Sequence, residues 1–356
     1  MDDRLAGVGA MERGLMSDEW AVEQAILDGN WDAVIDAAMR WMQSDTAGPR
    51  AFFILNAMYL LKGEFALAWR MYAKSLQEES DRAEVCSWVE RLSQTYPDAG
   101  SVWLIHGMCL AQSGQTEPAI ASYHRTMHLV HDSPFPHFFL AQLYQRMGQA
   151  EKAIRAYRQA VRLDPDWLVA RLNLGVAYQE HGQLEMAIPQ YRAIIKRAPD
   201  DVLGHMNLAC ALAEQGKIDA ALQEYTLSVK LCPDDADLRC ARAALYDQKG
   251  RQDLAMREYQ EALRINPEFG PAATEAGWIL LEKGQVDAAL DNFSIAIRAN
   301  PDDARAMFGV GRVYDLKRKP EIAGDHYQRA LQLEADPARK TAILNFIDKI
   351  VGGYHD

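Results

Sequence analysis

Four histidines between positions 124 and 137 are the residues whose type and spacing could most directly support chemistry. His124, His128 and His131 follow one another at i, i+4 and i+7, and His137 lies nearby. Imidazoles four residues apart on a helix can share a divalent metal ion. No carboxylate within this helix completes a ligand set, since Asp132 comes at its end. The pattern leaves three alternatives, a metal site, a solvated histidine ridge or a pH-sensitive contact, and we predict no metal.

The cysteines are odd in number and show no metal-type spacing or CxxC pair. We expect them to act as small buried hydrophobic residues with reduced thiols. Reduced thiols indicate a reducing compartment, so we predict a cytoplasmic location. The five residues are Cys86, Cys109, Cys210, Cys232 and Cys240.

The common catalytic motifs do not occur in this sequence. It contains no GxGxxG after a strand, no GKS or GKT phosphate loop, no GxSxG and no HExxH. Gly216 and Lys217 belong to a turn that recurs along the chain and do not form a nucleotide cradle. We therefore predict that the protein is not an enzyme and binds no cofactor.

Charge and hydropathy limit the classes of partner. The formal net charge is −12, and residues 1–100 hold 17 acidic against 9 basic side chains. Such a field repels nucleic acid and anionic lipid, which favours a basic partner. Alternatively, the negative charge serves solubility alone. No window reaches the roughly 18 apolar residues of a membrane span, so we expect no membrane insertion. The first 16 residues are too acidic for a signal peptide.

Glycines recur at a spacing that defines the elements around these residues. Successive glycines are 34 residues apart, except for one step of 51 residues between Gly63 and Gly114. The eight positions are Gly29, Gly63, Gly114, Gly148, Gly182, Gly216, Gly250 and Gly284. A period of this length indicates a solenoid of helix-turn-helix units. In each unit we expect a small residue on the first helix, a left-handed glycine at the turn, and an aromatic residue on the second helix.

One unit shows the full motif and its resemblance to a known family. Residues 134–167 contain Leu140, Ala141, Tyr144, Gly148, Ala153, Tyr157, Ala160 and Pro165. In period and motif the chain resembles the tetratricopeptide repeat family. The resemblance implies an all-α, right-handed superhelix (an α-solenoid) of about nine repeats.

The resemblance also divides the chain into segments. We expect a flexible N-terminus over residues 1–14 and an N-terminal arm over 15–82, whose first of two repeats is degenerate. Residues 100–335 hold seven regular repeats, although Arg318 replaces the turn glycine in the last one. A helix over 338–351 is expected to cap the open end.

The 51-residue step predicts an extra helix near residues 81–97, in a segment that we delimit as 83–99. Val85, Val89 and Leu92 lie on one face of this helix, and Pro97 ends it. An unpaired helix interrupts the stacking of helix pairs. It is either a rigid insertion or a bend between the arm and the array.

Family resemblance places the ligand on the concave surface, at fixed positions of the first helices. The central positions are mostly apolar with a few amides: Phe135, Phe138, Phe139, Gln142, Leu172, Asn173, Val176, Met206, Asn207 and Cys210. They lack the basic residues with which some family members clamp an acidic C-terminus. Asn173 and Asn207 resemble a short asparagine ladder that grips a peptide backbone. Alternatively, Phe138, Leu172 and Met206 pack against neighbouring helices.

These features predict a non-catalytic scaffold or adaptor. Its partner would be another protein, which inserts a peptide or an amphipathic helix, basic in charge, into the concave groove. The alternative is a structural scaffold that assembles as a homo-oligomer, with the arm of one copy docked in the groove of the next.

Overall fold

The described part of the protein is entirely helical. The computed structural model describes residues 18–43, 48–62, 67, 70–71 and 79–353, in which there are nineteen helices and no strand. This confirms the predicted all-helical solenoid. The predicted flexible segment 1–14 and the turn at Gly63 lie outside the described residues. The helices are α1 Asp18–Leu27, α2 Trp31–Gln43, α3 Pro49–Lys62, α4 Glu79–Thr95, α5 Gly100–Gln112, α6 Thr116–Leu129, α7 Phe135–Arg146, α8 Ala150–Leu163, α9 Leu168–Glu180, α10 Leu184–Arg197, α11 Val202–Glu214, α12 Ile218–Leu231, α13 Ala236–Gln248, α14 Gln252–Ile265, α15 Gly270–Glu282, α16 Val286–Ala299, α17 Ala304–Leu316, α18 Pro320–Leu333 and α19 Pro337–Gly353.

Two compact units make up the chain. The first ends at Gln190 and the second begins at Tyr191, within α10. In both units consecutive helices pack in pairs, for example α5 with α6 and α15 with α16.

Turn glycines have the left-handed conformation that the sequence predicts. Seven of them have φ between 65° and 79°, and a Cβ at any of these positions would meet nothing within 4 Å. Their role is therefore conformational and not steric. At Gly148 the amide of Gln149 donates to the carbonyl of Tyr144 at 2.8 Å, which closes the end of α7. Arg318 adopts the same conformation, with φ 55°.

Small residues on the first helices make room for aromatic rings on the second helices. A Cβ on Gly107 would lie 2.5 Å from the ring of Tyr123, and a Cβ on Gly311 would lie 2.5 Å from that of Tyr327. Phe293 is completely buried and lies between Gly277 of its own repeat and Gly309 of the next. These contacts explain why the small and aromatic positions recur together.

The extra helix is α4, and it is anchored in the first unit. Its predicted apolar face is buried, as Val85, Val89 and Leu92 show. The helix packs against both α3 and α5. Trp88 donates from Nε1 to Glu23 Oε1 at 3.0 Å and packs edge-on against Trp41. Whether the segment 83–99 also marks a bend between the arm and the array stays a prediction.

The last helix covers the end of the second unit, as expected for a cap. The ring of Phe346 packs edge-on against Phe308 and Tyr327, with centroids 5.4 and 5.8 Å away. The guanidinium of Arg312 lies 4.2 Å from the centre of the same ring. Ile343 is buried beside them. These contacts remove the apolar surface of α17 and α18 from water.

Candidate functional site

A cavity of about 390 Å³ opens in the first unit between α5 and α7. Most of its lining comes from first helices, at the positions that the family resemblance places on the concave surface. Two buried tyrosines from second helices also contribute. The lining residues are Met108, Ala111, Gln112, Tyr123, Phe139, Gln142, Gln145, Arg146, Tyr157 and Asn173. Three of the ten predicted site residues, Phe139, Gln142 and Asn173, are thus in one cavity.

Four amides, together with the guanidinium of Arg146 and two tyrosine hydroxyls, provide the polar groups of this cavity. Gln112 donates to Asn56 Oδ1 at 2.6 Å, while its own buried Oε1 has no hydrogen-bond partner in the described structure. Burial raises the pKa of Tyr157. Its protonated hydroxyl donates to Gln145 Oε1 at 3.1 Å, and Gln145 in turn donates to Glu180 at 2.6 Å. These hydrogen bonds hold Gln112 and Gln145 in place and leave the buried Oε1 of Gln112 without a donor.

Phe138 and Phe139 are adjacent in sequence but differ in role. Phe138 is 1% exposed and packs against Trp167 and Tyr157, with centroid distances of 4.6 and 5.7 Å. The packing alternative therefore holds for Phe138, which has no surface left for a ligand. Phe139 is 6% exposed, stacks on Tyr123 at 5.9 Å and contributes to the cavity wall.

The other apolar candidates of the first unit lie outside this cavity. Phe135 is partly buried between Trp167 and Trp31, at 5.1 and 6.3 Å between ring centres. Leu172 and Val176 are partly exposed on α9. None of the three lines the cavity.

Asn173 and Asn207 have the same local geometry, each in its own unit. The side-chain nitrogen of each donates to the backbone carbonyl four residues earlier, Val169 or Leu203, at 2.8 Å. One amide hydrogen is therefore used within the helix, and the side-chain oxygen is left for other partners. In the second unit Met206 is partly exposed and Cys210 contacts Glu214 at 3.4 Å.

The second unit contains a larger cavity that the sequence analysis did not identify. It encloses about 670 Å³ and is lined by residues of α13, α14, α15 and the start of α17. Its α13 residues, Asp237, Cys240, Ala241, Ala244 and Asp247, fall at the same helix positions as the predicted groove residues of earlier repeats. Applying the same groove positions to the repeat at 236–269 would have predicted these cavity residues from the sequence.

The histidine ridge is solvent-exposed. His124, His128 and His131 are all exposed, and the rings of the last two lie 6.4 Å apart. Nδ1 of His131 lies 3.0 Å from the carbonyl oxygen of Met127. Across the described ranges, no three His, Cys, Asp or Glu side chains are grouped so that they could hold a metal ion.

Two cysteines are in contact although sequence spacing did not pair them. The Sγ atoms of Cys86 on α4 and Cys109 on α5 are 3.1 Å apart, and Ser113 Oγ lies 3.2 Å from Cys86 Sγ. The hydrogen bond with Cys109 lowers the pKa of Cys86 to about 6, although burial opposes it. The same hydrogen bond and burial raise the pKa of Cys109. All five cysteines are free thiols.

None of the described helices combines the length and the apolar character that a membrane span requires.

Comparisons with known proteins agree with the repeat architecture. The chain is similar to the C-terminal part of a TPR repeat-containing protein from Cytophaga hutchinsonii, with a TM-score of 0.55 and 17% identity over 67% of this chain and 98% of that one. The APC/C hetero-tetramer Cut9–Hcn1 gives a TM-score of 0.53 and 17% identity over 96% of this chain and 70% of that one. PilF of Pseudomonas aeruginosa gives 0.52 and 18%, over 60% and 96%.

Sequence comparison identifies the family itself. No curated protein matches the chain. The family model described as "Tetratricopeptide repeat" matches residues 140–202, 172–236, 206–268 and 274–339, which together cover more than half of the sequence. The chain therefore belongs to the tetratricopeptide repeat family.

Proposed function

We propose that this protein is a non-catalytic scaffold that binds a segment of a partner protein in the cavity of the first unit. Tetratricopeptide repeat proteins generally mediate protein–protein interaction. The observation that carries the proposal is the cavity between α5 and α7, with its unsatisfied Gln112 acceptor. A buried acceptor without a donor is costly, so a ligand N–H that reaches Gln112 is favoured.

The shape and chemistry of the cavity support a peptide or helix segment as the ligand. Phe139 offers an aromatic wall, while Gln142 and Asn173 offer amides that can both donate and accept hydrogen bonds. A volume of about 390 Å³ accommodates one or two side chains and not a whole helix. We propose that a partner anchors one apolar side chain there and hydrogen-bonds its backbone to the amides. We also propose a cytoplasmic location, which the five free thiols support.

Filling the cavity tests this proposal. Gln142→Trp places a large side chain in the cavity without removing a core residue, and Gln223→Trp is the matched control on an exposed site of α12. Partners captured from the native cell by the unaltered protein are identified by mass spectrometry, and their affinities are then measured with purified proteins. We expect Gln142→Trp to weaken binding at least about tenfold, and Gln223→Trp to leave it unchanged.

Equal affinities for the two variants would refute the first-unit site. Light scattering of the purified protein over a range of concentrations separates this function from self-assembly. A mass that rises with concentration, and that Gln142→Trp lowers, would indicate a homo-oligomer in place of a separate partner.

A further inference from the structure

The cavity of the second unit has an apolar floor and carboxylates at its edges. Along α13, the residues Asp237, Cys240, Ala241, Ala244 and Asp247 occupy one helix face. The two aspartates are ten residues apart, or about 15 Å along the helix axis. The small side chains between them leave space above the helix.

Most of the charge on the opposite wall is already paired. Asp303 accepts hydrogen bonds from Thr274 at 2.7 Å and from the amide of Ala306 at 2.9 Å, so it has a structural role at the start of α17. Glu275 forms an ion pair with Arg305 at 2.7 Å. This pair shows that the wall accommodates a guanidinium group.

Two carboxylates remain without such partners. The structure gives Asp237 and Asp247 no side-chain hydrogen bond or ion pair with any described residue. The cavity lining contains four carboxylates and one guanidinium, which leaves an excess of three negative charges; the charged residues are Asp237, Asp247, Glu275, Asp303 and Arg305. Burial raises the pKa of Glu275 in spite of Arg305, and repulsion from Asp247 and Asp303 adds to this effect. A further positive charge in the cavity would relieve this repulsion.

Tyr259 provides a separate indication that the cavity receives a ligand. It is 1% exposed, and its hydroxyl has no hydrogen-bond partner among the residues that the structure describes. Burial raises the pKa of Tyr259, and the other groups that act on it all line the cavity: Cys240, Glu275, Asp247 and Arg305. The hydroxyl therefore faces the cavity, where a ligand N–H group would satisfy it.

We propose that this cavity binds an arginine or lysine side chain from an extended segment of a partner protein. The aliphatic stem lies on Ala241 and Ala244, and the charged head reaches Asp247 and the Tyr259 hydroxyl. The inference rests on the proposed function, because it takes the ligand to be part of a protein. It extends that function to the second unit and defines the charge of the partner.

A metal ion fits this cavity less well than an organic cation. In the part of the chain that the structure describes, no three acidic, histidine or cysteine side chains converge on one point as metal ligands. Asp237 and Asp247 lie too far apart along α13 to share an ion. A long basic side chain, by contrast, can bury its stem while its head forms several hydrogen bonds.

A fluorine probe at Tyr259 tests the inference locally. The protein is prepared with 3-fluorotyrosine at position 259 and titrated with the peptide acetyl-Ala-Arg-Ala-amide, while fluorine NMR follows the shift. The control peptide contains citrulline, which has the shape of arginine but no charge. We expect a saturable shift with the arginine peptide and at least tenfold weaker binding of the citrulline peptide.

Substitutions assign the effect to the cavity. Asp247→Asn should lower the affinity for the arginine peptide at least about tenfold. Asp291→Asn, at an exposed site outside the cavity, should change that affinity less than twofold. Calorimetry with the unlabelled protein covers the case in which the fluorine label disturbs the fold. Equal affinity for both peptides, or no binding of either, would overturn the inference.

The outcome is independent of the test of the proposed function. Gln142 lies in the first unit and Asp247 in the second. If Gln142→Trp abolishes capture of the partner while the arginine peptide fails to bind, only the basic-residue site is wrong. If the arginine peptide binds and Gln142→Trp has no effect, only the first-unit site is wrong.

Discussion

Oxidation of the Cys86–Cys109 pair should lock α4 onto α5. The two Sγ atoms are 3.1 Å apart, so a movement of about 1 Å would bring them to the length of a disulfide bond. The thiolate of Cys86 is the expected nucleophile because its pKa is lowered to about 6, chiefly by the hydrogen bond with Cys109. The oxidant in the test is a small-molecule disulfide, oxidised dithiothreitol.

The reaction is thiol–disulfide exchange in two steps. Cys86 attacks one sulfur of the reagent, forms a mixed disulfide and releases a thiolate at the other sulfur. Cys109, after losing its proton, attacks Cys86 Sγ and releases the reagent as a dithiol. The protein loses two protons and two electrons, which the reagent gains.

The expected gain in stability follows from the loop that the bond would close. A cross-link between positions 86 and 109 closes a loop of about 24 residues, and chain entropy gives a stabilisation of about 3.5 kcal/mol for this length. The value is an upper limit because α4 must shift slightly. The effect should be concentrated in α4 and α5, whose amide hydrogens should exchange roughly a hundredfold more slowly.

The assay combines mass spectrometry with hydrogen exchange. The oxidised protein should be 2 Da lighter, with the two cysteines in one linked proteolytic peptide. Cys86→Ser, treated in the same way, is the control and should gain neither the linkage nor the protection. A linkage between other cysteines, or a linked protein whose α4 and α5 exchange no more slowly, would refute the reasoning.

Three further predictions concern single residues. Alkylation of Cys86 by iodoacetamide should be fast at pH 8 and fall to half its plateau rate near pH 6, because only the thiolate reacts. Cys240, whose pKa is raised to about 12 by burial, should react slowly throughout, and equal rates for the two cysteines at pH 8 would contradict this. Arg318→Gly should raise the free energy of unfolding by about 0.5–1 kcal/mol in urea denaturation, because glycine adopts the left-handed conformation without strain, although it costs some chain entropy. An unchanged or lower free energy would show that the turn is unstrained. Gly309→Ala should lower the free energy of unfolding by about 1–3 kcal/mol, because the added methyl group overlaps the buried ring of Phe293. Gly324→Ala is the control, since its methyl group would meet nothing within 4 Å, and similar losses of stability in both variants would disprove a steric cause.

The repeat architecture could be predicted from sequence because each element has a local cause. A left-handed turn requires glycine at almost every unit, and a close helix contact requires a small residue opposite a ring. Both requirements appear as a period of 34 residues. Even the exception at Arg318 could be placed, since the surrounding repeat fixes its conformation.

Side-chain roles within the repeat were less predictable. Phe138 and Phe139 both occupy groove positions, but the ring of Trp167 buries Phe138 and leaves Phe139 to line the cavity. The contact of Cys86 with Cys109 joins an irregular helix to a regular one, so no period indicates it. These roles depend on packing between helices, which the spacing of residues along one helix does not contain.

The burial of Phe293 between Gly277 and Gly309 has a mechanical consequence. One ring fills the space inside its own repeat and also the space against the following repeat. If the last repeats were pulled open from the C-terminal side, detaching α17 would expose the ring that holds α15 and α16 together. The repeats over 270–303 and 304–335 should therefore unfold together, in a single step, when the protein is stretched.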